Sequence, residues 1–191
     1  GYSNRDYQRL VDVEQWGTTV WSSFRNAFAS CSNMDVTATD VPNLSACQDV
    51  SNMFSYCKSL VNANGSISGW NTANVTNMAN MFAGTILFNQ PLNWQTANVT
   101  NMANMFSGAT AFNQPIGNWN TANVTNMSSM FREATSFNQS LNWNTSKVTN
   151  MNYMFNKATS FNSPFGSNWN TSQVTDMSGM FLEARAFNQP I

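Results

Sequence analysis

One pattern recurs down most of the chain: Trp-Asn/Gln-Thr, then Val-Thr-Asn/Asp-Met, then Met-Phe, then Phe-Asn. Its clearest copy is WNTANVTNMANMFAGTILFNQPLN, residues 70–93. The opening tryptophans Trp70, Trp94, Trp119, Trp143 and Trp169 lie 24, 25, 24 and 26 residues apart. A unit this short cannot bury its own apolar face, so each copy must stack on its neighbours, as in a solenoid. Two degenerate copies precede the regular ones. In the first, Trp16, Thr18, Trp21, Phe24, Ala27 and Phe28 fill the repeat columns; in the second, Pro42, Cys47, Val50, Met53 and Phe54 do. The organisation expected is a cap over 1–15, with Tyr7, Leu10 and Val11 as its apolar contacts. Degenerate copies follow over 16–69 and five regular 24–26-residue copies over 70–191, in one continuous domain with no C-terminal cap evident.

Within a copy, Val75, Met78, Met81 and Phe82 fall at i, i+3, i+6 and i+7, the spacing of one helix face. Thr72, with Thr96, Thr121, Thr145 and Thr171 in its column, stands where an N-cap would. Gly84 and Gly108 stand where a helix would end. Leu92–Trp94 reads as a short strand, and the β-branched Val-Thr pair keeps open a second strand over Val75–Met78. Strands pack about 4.8 Å apart and helices about 10 Å, so such a stack must curve. The expected fold is a right-handed, leucine-rich-repeat-like α/β solenoid of about seven turns. Short parallel strands would line its concave side and short helices its convex side.

Composition narrows function. Only 9% of residues are charged and the net charge is −1, against about 25% charged in an average soluble domain. No basic patch is present to hold a phosphate backbone, which argues against nucleic acid. No apolar run is long enough for a membrane span. Histidine is absent and the nine carboxylates form no recurring close pair. General acid–base catalysis, a bound metal and a cofactor are therefore not expected. Cys31 and Cys57 share a column of adjacent copies, so they are either two small buried residues or a disulfide; Cys47 has no partner in that scheme.

The units NTANVTNMANMF…FNQPLNW and NTSQVTDMSGMF…FNQPI, within residues 16–191, resemble the BspA-like leucine-rich-repeat surface proteins. The likeness is to the mycoplasma-type branch, a repeat domain of unknown function. It implies extracellular or cell-surface display and adhesion to a cell-surface or matrix protein or to a glycan. It supplies no catalytic residue.

The Met78-Met81-Phe82 stripe and the Phe88 column read as core. If the tryptophans also face inward, their flanking amides face outward as one array. Those amides are Asn93, Gln95, Asn118, Asn120, Asn142, Asn144, Asn168 and Asn170, and they are the expected ligand-binding face. A second ladder, Thr76, Thr100, Thr125, Thr149 and Thr175, suits either backbone-satisfying chemistry or an ice-binding face. Sequons at Asn74, Asn98 and Asn123 follow from the repeat. The function expected is non-catalytic recognition or adhesion. The alternatives are ice binding through the threonines and a structural surface module that self-associates end to end.

Overall fold

The computed structural model describes residues 6–191. It replaces the expected α/β solenoid with a different local structure. Among the described residues there is no α-helix. Regular structure is limited to 3-10 turns at Asp6–Gln8 and Ser66–Gly69 and a parallel pair of short strands, β1 (Asp12–Val13) and β2 (Asp35–Val36). Neither Leu92–Trp94 nor Val75–Met78 is a strand, so no concave sheet and no convex helical layer exist among these residues.

The stretch read as a helix is a run of tight turns. The N–H groups of Met81, Ala83 and Thr85 donate three residues back, to Met78, Asn80 and Phe82, at 3.2, 3.1 and 3.2 Å. The intervening N–H groups of Met78, Asn80, Phe82 and Gly84 leave the copy altogether. They donate to Asn101, Ala103, Met105 and Ser107 of the next copy at 3.0, 2.8, 2.9 and 2.7 Å. The Ala79 N–H is taken by the Asn77 side-chain oxygen at 3.1 Å. Every amide from Met78 to Thr85 thus has a partner, and no four-back helical bond is needed.

Backbone conformation explains why the chain turns rather than coils. Asn80 has φ 57° and Gly84 φ 70°. Each is the third residue of a turn, where a positive φ marks type II geometry and favours Asn or Gly. A helix interior cannot contain such residues. Gly84 and Gly108 are therefore turn residues and not helix ends. The same ladder runs from Phe24, which donates to Asp49, through Phe155, which donates to Met180. Single-residue parallel pairings run alongside it, Asp49–Asn77–Asn101–Asn126–Asn150–Asp176.

The core sits between these rungs as columns of like side chains. Phe54, Phe82, Phe106, Phe131, Phe155 and Phe181 stack with centroids 5.5–5.8 Å apart. Phe88, Phe112, Phe137, Phe161 and Phe187 stack at 5.7–6.3 Å. Trp70, Trp94, Trp119 and Trp143 follow at 6.3–6.5 Å. Within a copy the two phenylalanines also stack, as at Phe106–Phe112, 4.0 Å. Met78, Met81 and their equivalents are buried among them. Tyr7, Leu10 and Val11, expected as apolar contacts of a cap, are exposed; Val13 packs on the core instead. Residues 1–5 of that cap lie outside the described residues.

Candidate functional site

The tryptophan segment alternates strictly. Leu92, Trp94 and Thr96 are buried, while Asn93 and Gln95 are exposed. The later copies repeat this: Trp119 and Trp143 are buried, Trp169 is half-buried, and Asn118, Asn120, Asn142, Asn144, Asn168 and Asn170 are all exposed. The indole N–H groups of Trp94, Trp119 and Trp143 donate to Ile67, Leu92 and Ile116, each 27 residues earlier in the chain, at 2.9, 3.1 and 2.9 Å. That bond fixes each ring in its column.

Thr72, expected to cap a helix, has a different task. Its hydroxyl is buried and donates to the Gln95 carbonyl of the next copy at 2.9 Å; Thr96, Thr121 and Thr145 do the same to Asn120, Asn144 and Asn170. With no helix to cap, the hydroxyl clasps two copies together.

The exposed amides are not equivalent. Asn120, Asn144 and Asn170 each accept the backbone N–H two residues on, at 3.1, 3.0 and 2.8 Å, so one side-chain oxygen is already used. Gln95 occupies that column in its own copy and makes no such bond, because its longer side chain places the carbonyl beyond the turn. Asn93 donates to the Ser68 hydroxyl at 3.0 Å and keeps its oxygen free. These two amides line a cavity of ≈ 530 Å³ with Ser68, Gly69, Trp70 and Asn71.

Length variation falls on this side of the coil. Ile116 is followed by Gly117 before Asn118, and Phe165 by Gly166 and Ser167 before Asn168, whereas Leu92 and Leu141 lead directly to Asn93 and Asn142. These extra residues account for the copies of 25 and 26 residues. A side chain at Gly117 would meet the Ser140 carbonyl at 2.4 Å, and one at Gly166 would meet Asn142 at 2.5 Å, so glycine lets the backbones pass.

The threonine ladder is uniform by contrast. Thr100, Thr125, Thr149 and Thr175 each direct both N–H and hydroxyl at one carbonyl, that of the preceding threonine; the hydroxyl distances are 3.2, 3.2, 3.2 and 3.1 Å. Thr76 does the same to Gln48. Beside it, Asn74, Asn98 and Asn123 donate to Ser45, Ala73 and Ala97 carbonyls at 2.7–2.8 Å, and Lys147 donates to Asn123 at 2.7 Å. A glycan on these sequon nitrogens would compete with the ladder.

A third ladder escaped the sequence reading. Asn89, Asn113, Asn138 and Asn162 each accept the backbone N–H of the next asparagine, at 2.8–2.9 Å. The Phe-Asn ending of each regular copy, 70–191, is its signal. Cys31, Cys47 and Cys57 are free and buried, and the Cys31–Cys57 disulfide is not formed. Burial, with Cys31 adding to it, pushes the Cys57 thiol up to about 12, so it stays protonated and unreactive at neutral pH.

A family model described as "Mycoplasma protein of unknown function, DUF285" matches residues 22–142 and 115–191. The chain belongs to this family. The matches span the coils that share the backbone ladder, so the DUF285 repeat here is the non-helical turn run with its stacked aromatic columns. None of the curated proteins and none of the solved structures matches the chain.

Proposed function

We propose that this DUF285 chain is a non-catalytic recognition module at the cell surface or outside the cell. Its ligand would be a glycan or protein of a cell surface or matrix, held through the exposed amides beside the tryptophan column. This places it functionally with the BspA-like surface proteins that its repeat resembles. The observation that carries the reading is the cavity at Asn93 and Gln95, where the Gln95 amide and the Asn93 side-chain oxygen stay free although the Asn93 nitrogen is held by Ser68. The extra residues at Gly117 and Gly166–Ser167 fall in the same segment, and segments that vary on a rigid scaffold are where ligand contacts are tuned. Weak polar contacts repeated along such a stack add up over an extended ligand.

The test is the Asn93→Lys/Gln95→Lys/Asn118→Lys variant, assayed on immobilised glycans and matrix proteins. Binding by the parent chain that disappears in a variant of unchanged thermal stability supports the reading. Binding retained by the folded variant contradicts it.

A second reading, ice binding, gains from one observation. The hydroxyl bonds of the threonine ladder differ in length by only 0.1 Å from copy to copy, with no helices among the described residues to break its regularity. Faceted ice crystals that become round in Thr100→Tyr/Thr125→Tyr would move the function to this ladder; round crystals with the parent chain would remove it.

A further inference from the structure

Six residues outside the amide and threonine ladders line a cavity of ≈ 390 Å³ beside the first two copies: Tyr7, Gln8, Ser30, Ser32, Tyr56 and Lys58. That volume lies within the ~300–1,000 Å³ typical of small-molecule sites. Both phenol rings are exposed, Tyr7 by 51% and Tyr56 by 57%, so neither is there to fill the core. The turn carrying Tyr7 and Gln8 is tied down where the Asn33 amide donates to the Gln8 carbonyl at 3.0 Å.

Tyr56 is held more firmly still. Its N–H donates to the Ala83 carbonyl at 2.6 Å, and its φ is 59°. Its ring lies across Gly84 of the next copy, 2.6 Å from where a side chain there would begin. Other copies place Ser30, Gly84, Gly108, Glu133, Lys157 and Glu183 in this column. A tyrosine gains little burial here and accepts a backbone conformation that glycine adopts freely. Its rigid, exposed ring is therefore a surface for something to lie against. Lys58 is exposed and forms no ion pair among the described residues, and Ser30 and Ser32 add hydroxyls.

We propose that this cavity binds a carboxylate-bearing sugar residue. The apolar C–H face of a pyranose lies on a phenol ring, the serine hydroxyls and the Gln8 amide take its hydroxyls, and the Lys58 ammonium pairs with its carboxylate. The site is separate from the amide columns and does not depend on their function.

The test is calorimetric titration of the full chain with a glucuronate-terminated trisaccharide, its glucose-terminated counterpart and inorganic phosphate. The glucuronate sugar should bind more tightly than the neutral one by roughly fivefold, the order expected of one exposed charge-assisted contact. Lys58→Gln should erase that preference. Tyr56→Gly should abolish binding with the melting temperature held or raised, and Tyr7→Ala should weaken it. Asn93→Lys/Gln95→Lys should leave it unchanged, which separates this site from the amide face. Equal binding of both sugars, no binding by the parent chain, phosphate binding as tight as the glucuronate sugar, or parent-like binding by Tyr56→Gly would each overturn the proposal.

Discussion

Residues 16–69 and residues 70–161 share one backbone ladder and one phenylalanine column, but not the tryptophan or hydroxyl ladders. Phe24, Asn26, Phe28 and Ser30 donate to the second copy just as Phe82 and Phe106 donate to theirs. Around that common frame the regular copies repeat the same contacts, whereas the first two improvise. Asp40 takes the Trp16 and Gly17 N–H groups at 2.8–3.1 Å. The buried Asn62 amide binds the Val36 carbonyl, Asn64 and Ser66, and accepts from Ile67. Pro42 leaves the tryptophan column open, so Trp16 meets Trp70 edge-on at 5.3 Å. The indole N–H groups of Trp16 and Trp21 have no partner, nor do those of Trp70 and Trp169 in the first and last regular copies, while those of Trp94, Trp119 and Trp143 between them do. Backbone geometry thus defines the coil, and side-chain repetition decides how completely each coil is satisfied.

The sharpest break of this comparison is a charge placed in one column at two heights. Met105 is fully buried and Ala27, its equivalent in the first copy, is exposed. Met105→Asp should cost about 3–5 kcal/mol, enough to abolish a cooperative thermal transition, because an unpaired carboxylate enters the core. Ala27→Asp should cost less than about 0.5 kcal/mol. Equal losses in thermal melts would mean that the columns are not what holds the copies together.

Next in size is the paired indole. Trp119→Phe removes ring volume and a hydrogen bond to Leu92, whereas Trp70→Phe removes ring volume alone. Denaturant unfolding should show Trp119→Phe to be the more costly by about 1 kcal/mol.

A smaller effect separates the regions by pH. Backbone N–H groups, that of Trp16 foremost, hold the Asp40 carboxyl below the usual range, and the backbone N–H of Ser178, followed by its side chain, does the same for Asp176. The four regular copies before it carry asparagine at the Asp176 position: Asn77, Asn101, Asn126 and Asn150. A lowered carboxyl pKa contributes stability above its unfolded value near 3.9, and that stability is lost as pH falls through the lower folded value. Amide exchange below about pH 4 should therefore quicken first around Trp16–Gly17 and Asp176–Ser178. Asp40→Asn should remove the pH dependence at Trp16; an unchanged profile would exonerate Asp40.

The smallest change concerns backbone strain. Ser129 has φ 54° in a column where Gly179 also occurs. Ser129→Gly should leave stability unchanged or raise it by about 0.5 kcal/mol, since relief of strain exceeds the added freedom of the unfolded chain. A clear loss in the melt would show that this turn is not strained.

Much of the stack was legible because burial follows the repeat. The Met78, Met81, Phe82 and Phe88 columns are core, and tryptophan alternates with exposed amides at Asn93, Gln95 and Asn118. The local conformation was not legible, for a physical reason. A run of tight turns buries i, i+3 and i+7 much as a helix does, so the spacing of Val75, Met78, Met81 and Phe82 could not separate them. The separating signal was Asn80 and Asn104, residues tolerant of positive φ, placed two after a buried methionine. The copy-to-copy role of Asn89 and Asn113 was hidden for another reason: a polar side chain that serves the neighbouring backbone looks like a solvated one. Tyr56 and Lys58 gave no pattern because their cavity exists only where two degenerate copies meet the turn at Tyr7.

The central claim is that alternate amides bond to the next copy and not within a helix. Scalar couplings across hydrogen bonds, measured by NMR on isotope-labelled chain, test it directly. The account predicts couplings from the Phe82, Phe106 and Phe131 nitrogens to the Met105, Met130 and Met154 carbonyl carbons. Couplings from those nitrogens to carbonyls four residues back in their own copies would contradict it and restore the helix.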